Sequence, residues 1–193
     1  LKRFPSLLLI LLLFPPERCK KIIQPEVANG DFNEPLNVGW HKRAVNYSGD
    51  YRIERIKEGE EYYARIYKDA CGYAQLEQKV MLTRLSSLLS FRAKFFANSN
   101  NEEYASAGAV VIEYLNREMR KLGATYFCSR TPNFTDWQNS ATLHLYEVPN
   151  GTWREFSLNI GEELKNYLPG IPKEEVKFIK IILLAYCTQE SGC

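Results

Sequence analysis

From about Ile22 onward the hydrophobic positions recur at every second residue. Phe91, Ala93 and Phe95 share one face of a segment whose other face carries Arg92 and Lys94. Phe156, Leu158 and Ile160 alternate in the same way with Glu155, Ser157 and Asn159. Such alternation is what a half-buried strand requires, because successive side chains of extended backbone point to opposite faces. Stretches 107–115 and 123–128 flank the polar segment Asn116–Lys121 and predict a hairpin with a long loop. The run 176–186 becomes apolar on both faces beyond Ile179, the pattern of a central strand covered from both sides. Segments 51–56, 62–67, 73–80 and 141–148 bring the total to roughly nine strands. Only 160–168 offers a helical turn, which Pro169-Gly170 stops. Turn residues recur about every 10–15 positions, so the pattern predicts an all-β, two-sheet antiparallel sandwich over residues 22–193. No internal repeat or linker divides it.

The first twenty residues read differently. Lys2 and Arg3 precede the apolar run Leu7–Phe14, and Pro15-Pro16 follows. A basic start before an apolar stretch of about 7–15 residues is the pattern of a signal peptide, or of a short N-terminal anchor, over residues 1–20. The run is less than half of the ~20 apolar residues that a membrane-spanning helix needs, so no membrane span is expected. A buried helix of the mature domain is the alternative. Export places the chain outside the cell or at its surface, where its five cysteines become interpretable. Cys19, Cys71, Cys128, Cys187 and Cys193 contain no C-x-x-C pair, which leaves structural disulfides first, buried thiols second and metal ligands last. Cys187 and Cys193 are spaced to close a small loop. Three sequons, at Asn46, Asn133 and Asn150, agree with export.

Composition narrows the chemistry. The chain carries 25 basic and 23 acidic residues, and a net charge of +2 is far from the field of a dedicated nucleic-acid binder. Twelve Tyr, ten Phe and three Trp favour strands and contact surfaces. Phosphate-binding glycine loops and the nucleophile elbow of hydrolases are absent. His41 and His144 fall in different segments, and each reads as a surface residue of a strand or loop. A glycosidase would need two carboxylates about 5–9 Å apart. Glu77 and Glu113 face out of the core and are the candidates, with solvated strand residues as the plainer reading. A protein without catalytic activity is therefore expected.

The order of segments resembles the carbohydrate-binding jelly-roll modules of the galactose-binding-like superfamily. The likeness rests on Asn29-Gly30-Asp31-Phe32 followed by Gly39-Trp40, on Gly72–Val80 with Gln75 before Leu76, and on Leu89–Lys94. It continues through Trp153-Arg154-Glu155-Phe156 and the 176–185 run, and spans about residues 27–187. The resemblance implies a jelly roll, a glycan or polysaccharide as partner, and, as the one cofactor it leaves open, a structural calcium ion. Such modules usually finish with a further strand that carries acidic residues, whereas here the sequence reaches Gly192-Cys193 without it. The domain is therefore expected to lack its last strand or to close differently. Asp31 and Glu34 of the opening segment are left as the hard-oxygen candidates for calcium.

Proteins hold sugars by placing aromatic rings against flat C–H patches and paired polar groups around the hydroxyl rim. The alternation points Tyr73, Gln75, Glu77, Arg92, Lys94 and Glu113 out of one sheet. Trp137, in the polar loop 131–139 with few apolar neighbours in sequence, is the candidate platform, whereas Trp40 and Trp153 read as packing residues at sandwich edges. The sequence thus favours a secreted, non-catalytic carbohydrate-binding module. The alternative is a structural or adhesive cell-surface protein that self-associates through open sheet edges.

Overall fold

The computed structural model describes residues 26–98 and 104–189; the expected leader, Cys19 and Cys193 lie outside them. Among the described residues ten strands carry the fold: β1 His41–Asn46, β2 Tyr51–Glu58, β3 Glu61–Lys68, β4 Gly72–Met81, β5 Leu88–Ala93, β6 Tyr104–Leu115, β7 Lys121–Arg130, β8 Leu143–Glu147, β9 Arg154–Asn159 and β10 Phe178–Gln189. One sheet of six strands has the order β1-β4-β10-β6-β7-β8. The opposing layer consists of two separate ladders, β2–β3 and β5–β9. This is the β-sandwich that the alternation predicts. The strand that pattern reading did not find is β1, because its sequence, His41 to Asn46, places no regular hydrophobic face.

The inner face of the large sheet forms the core. Leu76, Leu183, Val110 and Phe127 lie in one row across β4, β10, β6 and β7, and all are buried. Aromatic rings join the two layers. Phe127 stacks on Tyr146 at 4.8 Å and meets Phe91 edge-on at 5.1 Å, while Phe91 stacks on Phe156 of the facing ladder at 5.1 Å. Trp40 packs beside Phe32 at 5.5 Å, in the packing role expected of it. Trp153 lies at 5.6 Å from Tyr63.

Two corrections concern topology. The sandwich is not wholly antiparallel, since β8 runs parallel to β7. Parallel neighbours need a crossover of about a dozen residues or more, and residues 131–142 supply it. Phe134 and Trp137 of that crossover are drawn onto the outer face of the sheet by Tyr126 and Tyr186, which is why the chain passes over it. Gly123 lets the returning backbone approach, because a Cβ there would sit 2.3 Å from the Thr142 carbonyl oxygen. The second correction is Cys187, a free thiol that donates to the Lys68 carbonyl, so no small loop to Cys193 is closed. Cys128 is also a free thiol, fully buried.

The short helix α1, Ile160–Asn166, begins where expected. The Asn159 side chain caps it by accepting the Glu162 N–H. It carries Glu163, a carboxylate only 2 % exposed, into the sandwich. Thr125 donates to Glu163 Oε1 at 2.8 Å, His144 Nδ1 lies 2.7 Å from the same oxygen, and Tyr146 donates to Oε2 at 2.9 Å. Because the Thr125 proton goes to the carboxylate, the Tyr114 hydroxyl, 2.9 Å away, donates to Thr125 Oγ1. Burial first, then the Glu163 carboxylate, push the Tyr146 phenol well above its ordinary value, so it stays a donor. His144 is therefore not the surface residue expected from sequence: it points inward, stacked on Tyr167 at 4.2 Å.

A buried carboxylate with several donors destabilises the fold when removed, since each stranded donor costs about 1–3 kcal/mol. Glu163→Ala is expected to lower stability by about 3 kcal/mol and shift the urea midpoint with little change in slope. Glu162→Ala, on the exposed side of the same helix, is the control, and equal midpoints for the two variants would remove this role for Glu163.

Candidate functional site

The outer face of the six-stranded sheet is arranged in rows by the strand register. Arg43, Gln75, Leu184, Ala109, Cys128 and Glu147 stand side by side from β1 to β8. The next row runs His41, Glu77, Ile182, Val111, Tyr126 and Leu145. On either side lie Tyr73 beside Tyr186, and Lys180 beside Glu113. The crossover covers the β6–β7–β8 half of this face, where Ala109, Val111, Ala124 and Tyr126 are buried with Trp137 packed on them. The β4–β10 half is left accessible. Tyr73, Gln75 and Glu77 of β4 and the half-buried Trp137 of the crossover thus lie on the same face, with the partly buried Leu184 and Tyr186 of β10 between them.

Four charged groups of this face, Lys180, Lys121, Glu77 and Glu113, are arranged as a cluster of ion pairs. Lys180 Nζ reaches Glu113 Oε2 at 2.6 Å and lies 3.9 Å from Glu77 Oε2. Lys121 Nζ binds the other Glu113 oxygen at 2.9 Å, and Gln75 donates to Glu77 at 2.6 Å. Burial pushes the Glu113 carboxyl upward, but hydrogen bonds from Lys180 and Lys121 outweigh it and hold the group below the ordinary carboxylate range. Lys121 feels the reverse: burial disfavours its charge, yet Tyr126 and Glu113 raise it above the usual lysine value. Two ammonium groups and two carboxylates leave a polar ladder with no excess of either sign.

Tyr73, Gln75, Glu77 and Glu113 therefore share one face of one sheet, as the alternation placed them. Arg92 and Lys94 do not join them. Arg92 lies on β5, which pairs only with β9 in the opposite layer, and its guanidinium sits 5.1 Å from the Trp153 ring. Lys94 follows that strand, with Nζ 5.0 Å from the Phe96 ring. The error is one of layer: alternation tells which face a side chain takes, not which sheet the strand joins. Trp137 is also better packed than its polar sequence neighbours imply, at 4.8 Å from Tyr126 and 4.7 Å from Phe134, and it is half-buried.

Lys180, Lys121, Tyr126 and Tyr186 belong to the face and were not singled out in the sequence. Lys180 had a signal: a single lysine inside a strand otherwise apolar on both faces needs a carboxylate partner, and Glu77 and Glu113 lie on the two flanking strands. Asp31 and Glu34, the calcium candidates, both lie in the segment before β1. The two Asp31 carboxylate oxygens take the Asn33 backbone and side-chain amides, and Glu34 contributes its backbone N–H to Asn29. Among the described residues no group of three or more His, Cys, Asp or Glu side chains gathers. No described helix is long and apolar enough to cross a membrane.

The Glu113 pairs make acid sensitivity a property of this face. A carboxyl depressed by folding contributes stability that is full above its unfolded value, about pH 4.3, and is lost as pH falls through the lower folded value. Glu113→Gln is expected to flatten this acid limb of the stability curve measured by urea unfolding. An unchanged pH dependence in the variant would count against the pairing.

No protein-family model and no curated protein matches the chain. Among solved structures it is similar to a family 11 carbohydrate-binding module from Clostridium thermocellum, which was solved in complex with a β-1,3-1,4-mixed-linked tetrasaccharide. The match covers 86 % of this chain and 94 % of that one, at 11 % sequence identity and a TM-score of 0.42. At that distance no ligand and no residue role passes from one chain to the other.

Proposed function

We propose that the chain is an exported, non-catalytic carbohydrate-binding module, and that the uncovered β4–β10 half of the large sheet is its glycan face. The observation that carries this reading is the combination on one register-aligned surface of the rings of Tyr73, Tyr186 and Trp137 with the mutually neutralised groups Gln75, Glu77, Lys180 and Glu113. Rings supply flat apolar area for sugar C–H faces, and the pre-paired polar groups offer donors and acceptors without a net field. A ladder without excess charge suits a neutral, hydroxyl-rich ligand and gives little to a phosphate backbone.

Affinity electrophoresis against a panel of soluble neutral and acidic polysaccharides tests the reading. Retention by a neutral glycan is expected, with about tenfold weakening in Tyr73→Ala and Gln75→Ala, which correspond to losing one ring or one polar contact. Trp137→Ala is expected to weaken binding at least as much, with its folding checked by circular dichroism. No retention on any polysaccharide, or retention indifferent to all three substitutions, would overturn the assignment.

A second reading, self-association through a sheet edge, is favoured by one feature of the opposing layer. Its two ladders are not hydrogen-bonded to each other, and a groove of about 690 Å³ lies between β3 and the segment Ala93–Asn98, floored by Gly108, Val110 and Leu183. Edges that face each other across a gap can take an added strand. Light scattering coupled to size exclusion decides it: concentration-dependent oligomers are expected on this reading, and a strict monomer removes it.

A further inference from the structure

The three sequons are not equivalent once the chain is folded. At Asn150 the side-chain amide forms a two-point pair with one backbone residue: Oδ1 accepts the Ala97 N–H at 2.9 Å and Nδ2 donates to the Ala97 carbonyl at 2.7 Å. Ser129 donates a further bond to Oδ1 at 2.6 Å. Both contacts to Ala97 come from the same edge of the amide, so the hydrogen used on Nδ2 is the one on the side of Oδ1. A sugar attached to Nδ2 makes a secondary amide, which is trans and places the sugar carbon on that same side. A glycan at Asn150 would therefore displace the Ala97 bond, and turning it to the other side costs about 2.5 kcal/mol or more. Asn133 is half-buried and already partnered, and it lies beside Phe134, which is 3 % exposed.

Asn150 is exposed like Asn46, but Asn46 is held by fewer side-chain bonds. It stands at the end of β1, and its Nδ2 donates one bond, to the Gly49 carbonyl at 3.0 Å, in place of the two-point pair that holds Asn150. The turn behind it is fixed independently of the amide: the N–H groups of Tyr47 and Ser48 donate to the Cys71 carbonyl, and Ser48 Oγ accepts the Cys71 N–H at 3.2 Å. Tyr47, the middle residue of the sequon, is 68 % exposed. The direction of the side chain follows from register. His41, Arg43 and Val45 stand with Glu77, Gln75 and Tyr73 on the outer face, so Lys42, Ala44 and Asn46 take the opposite side. Lys42 accordingly reaches the Ile53 carbonyl of β2.

We propose that Asn46 is an N-glycosylation site, and the only one of the three sequons whose occupancy the folded domain accommodates. The proposal rests on the export part of the reading above and not on its glycan face. In the reaction the Asn46 amide nitrogen attacks the anomeric carbon of a lipid-pyrophosphate-linked oligosaccharide. The N–C bond forms as the C–O bond to pyrophosphate breaks; the lipid pyrophosphate leaves with the electron pair, and the amide proton is released. No oxidation occurs. The attached glycan projects toward the β2 side of the sheet edge, so the chain carries one sugar and keeps the outer face open for another.

The test is secretion of the full chain from cultured eukaryotic cells behind an added signal sequence, followed by peptide-N-glycosidase treatment and mass mapping of the glycosylated asparagine. One occupied site, at Asn46, is expected. Asn46→Gln and Ser48→Ala are expected to abolish the enzyme-dependent mass shift, and Ser48→Thr to keep it, with circular dichroism unchanged in all three. An unmodified secreted chain, or a glycan mapped to Asn133 or Asn150, overturns the proposal. The supplied signal separates this outcome from failure of the chain's own first twenty residues to direct export, which is read by secretion without the added signal.

Discussion

The fold depends on one constraint: β10 and β6 are apolar on both faces, and both faces must be kept from water. Ile179, Ile181 and Leu183 point into the sandwich, while Ile182 points outward and is still only 6 % exposed. On β6, Val110 and Ile112 face inward and Val111 faces outward at 1 % exposure. Antiparallel sheets usually solvate one face; this one cannot over its central strands. The two ladders of the opposing layer cover the inner side, and the crossover 131–142 covers part of the outer side with Phe134 and Trp137. The parallel placement of β8 follows from the same need. A chain that has crossed the outer face re-enters at the end of the sheet from which β7 started, and so runs in the same direction as β7.

A crossover placed for burial also divides the outer face. It shields the β6–β7–β8 half of the outer face and stops short of β4, whose outward side chains stay partly exposed. Trp137, held by Tyr126 and Tyr186, belongs to the covered part, and Tyr73, Gln75 and Glu77 stand on β4 beyond it. Both parts rest on rigid elements. The core beneath is tied down at the β8 end by Glu163, whose carboxylate gathers donors from β7, β8 and, through Thr125, β6. That network joins helix α1 to the large sheet, fixing the strands on which the crossover begins and ends.

How far sequence could see follows from what kind of information alternation carries. Period-two patterning assigns a residue to a face, and it did so correctly for Tyr73, Gln75, Glu77 and Glu113, because β4 and β6 each bury one continuous face. It also marked 176–186 as central, since no edge strand is apolar on both sides. It carries no information on which strands neighbour each other. Arg92 and Lys94 were thus placed on the right kind of surface but in the wrong layer. Buried polar residues escaped for a related reason. Glu163 lies on a short helix and His144 on an edge strand, nineteen positions apart, and nothing local in either segment announces the other. The low hydrophobicity of the 131–139 loop concealed its role in the same way, because the partners of Trp137 come from β7 and β10.

The charge balance of the Lys180–Glu113 cluster is itself a consequence of burial. Lys180 is needed in the outer row next to buried Ile182, where an unpaired ammonium would be costly, so Glu77 and Glu113 flank it on the two neighbouring strands. Lys121 then answers the second oxygen of Glu113. Lys180, Lys121, Glu77 and Glu113 thus form a charge-balanced cluster of oriented donors and acceptors, with exposed Arg43 of β1 standing outside it. Such a surface discriminates by shape and hydrogen-bond geometry over short range. On the proposed glycan face, a ring of hydroxyls over Tyr73 and Tyr186 would exchange water for groups already fixed in place.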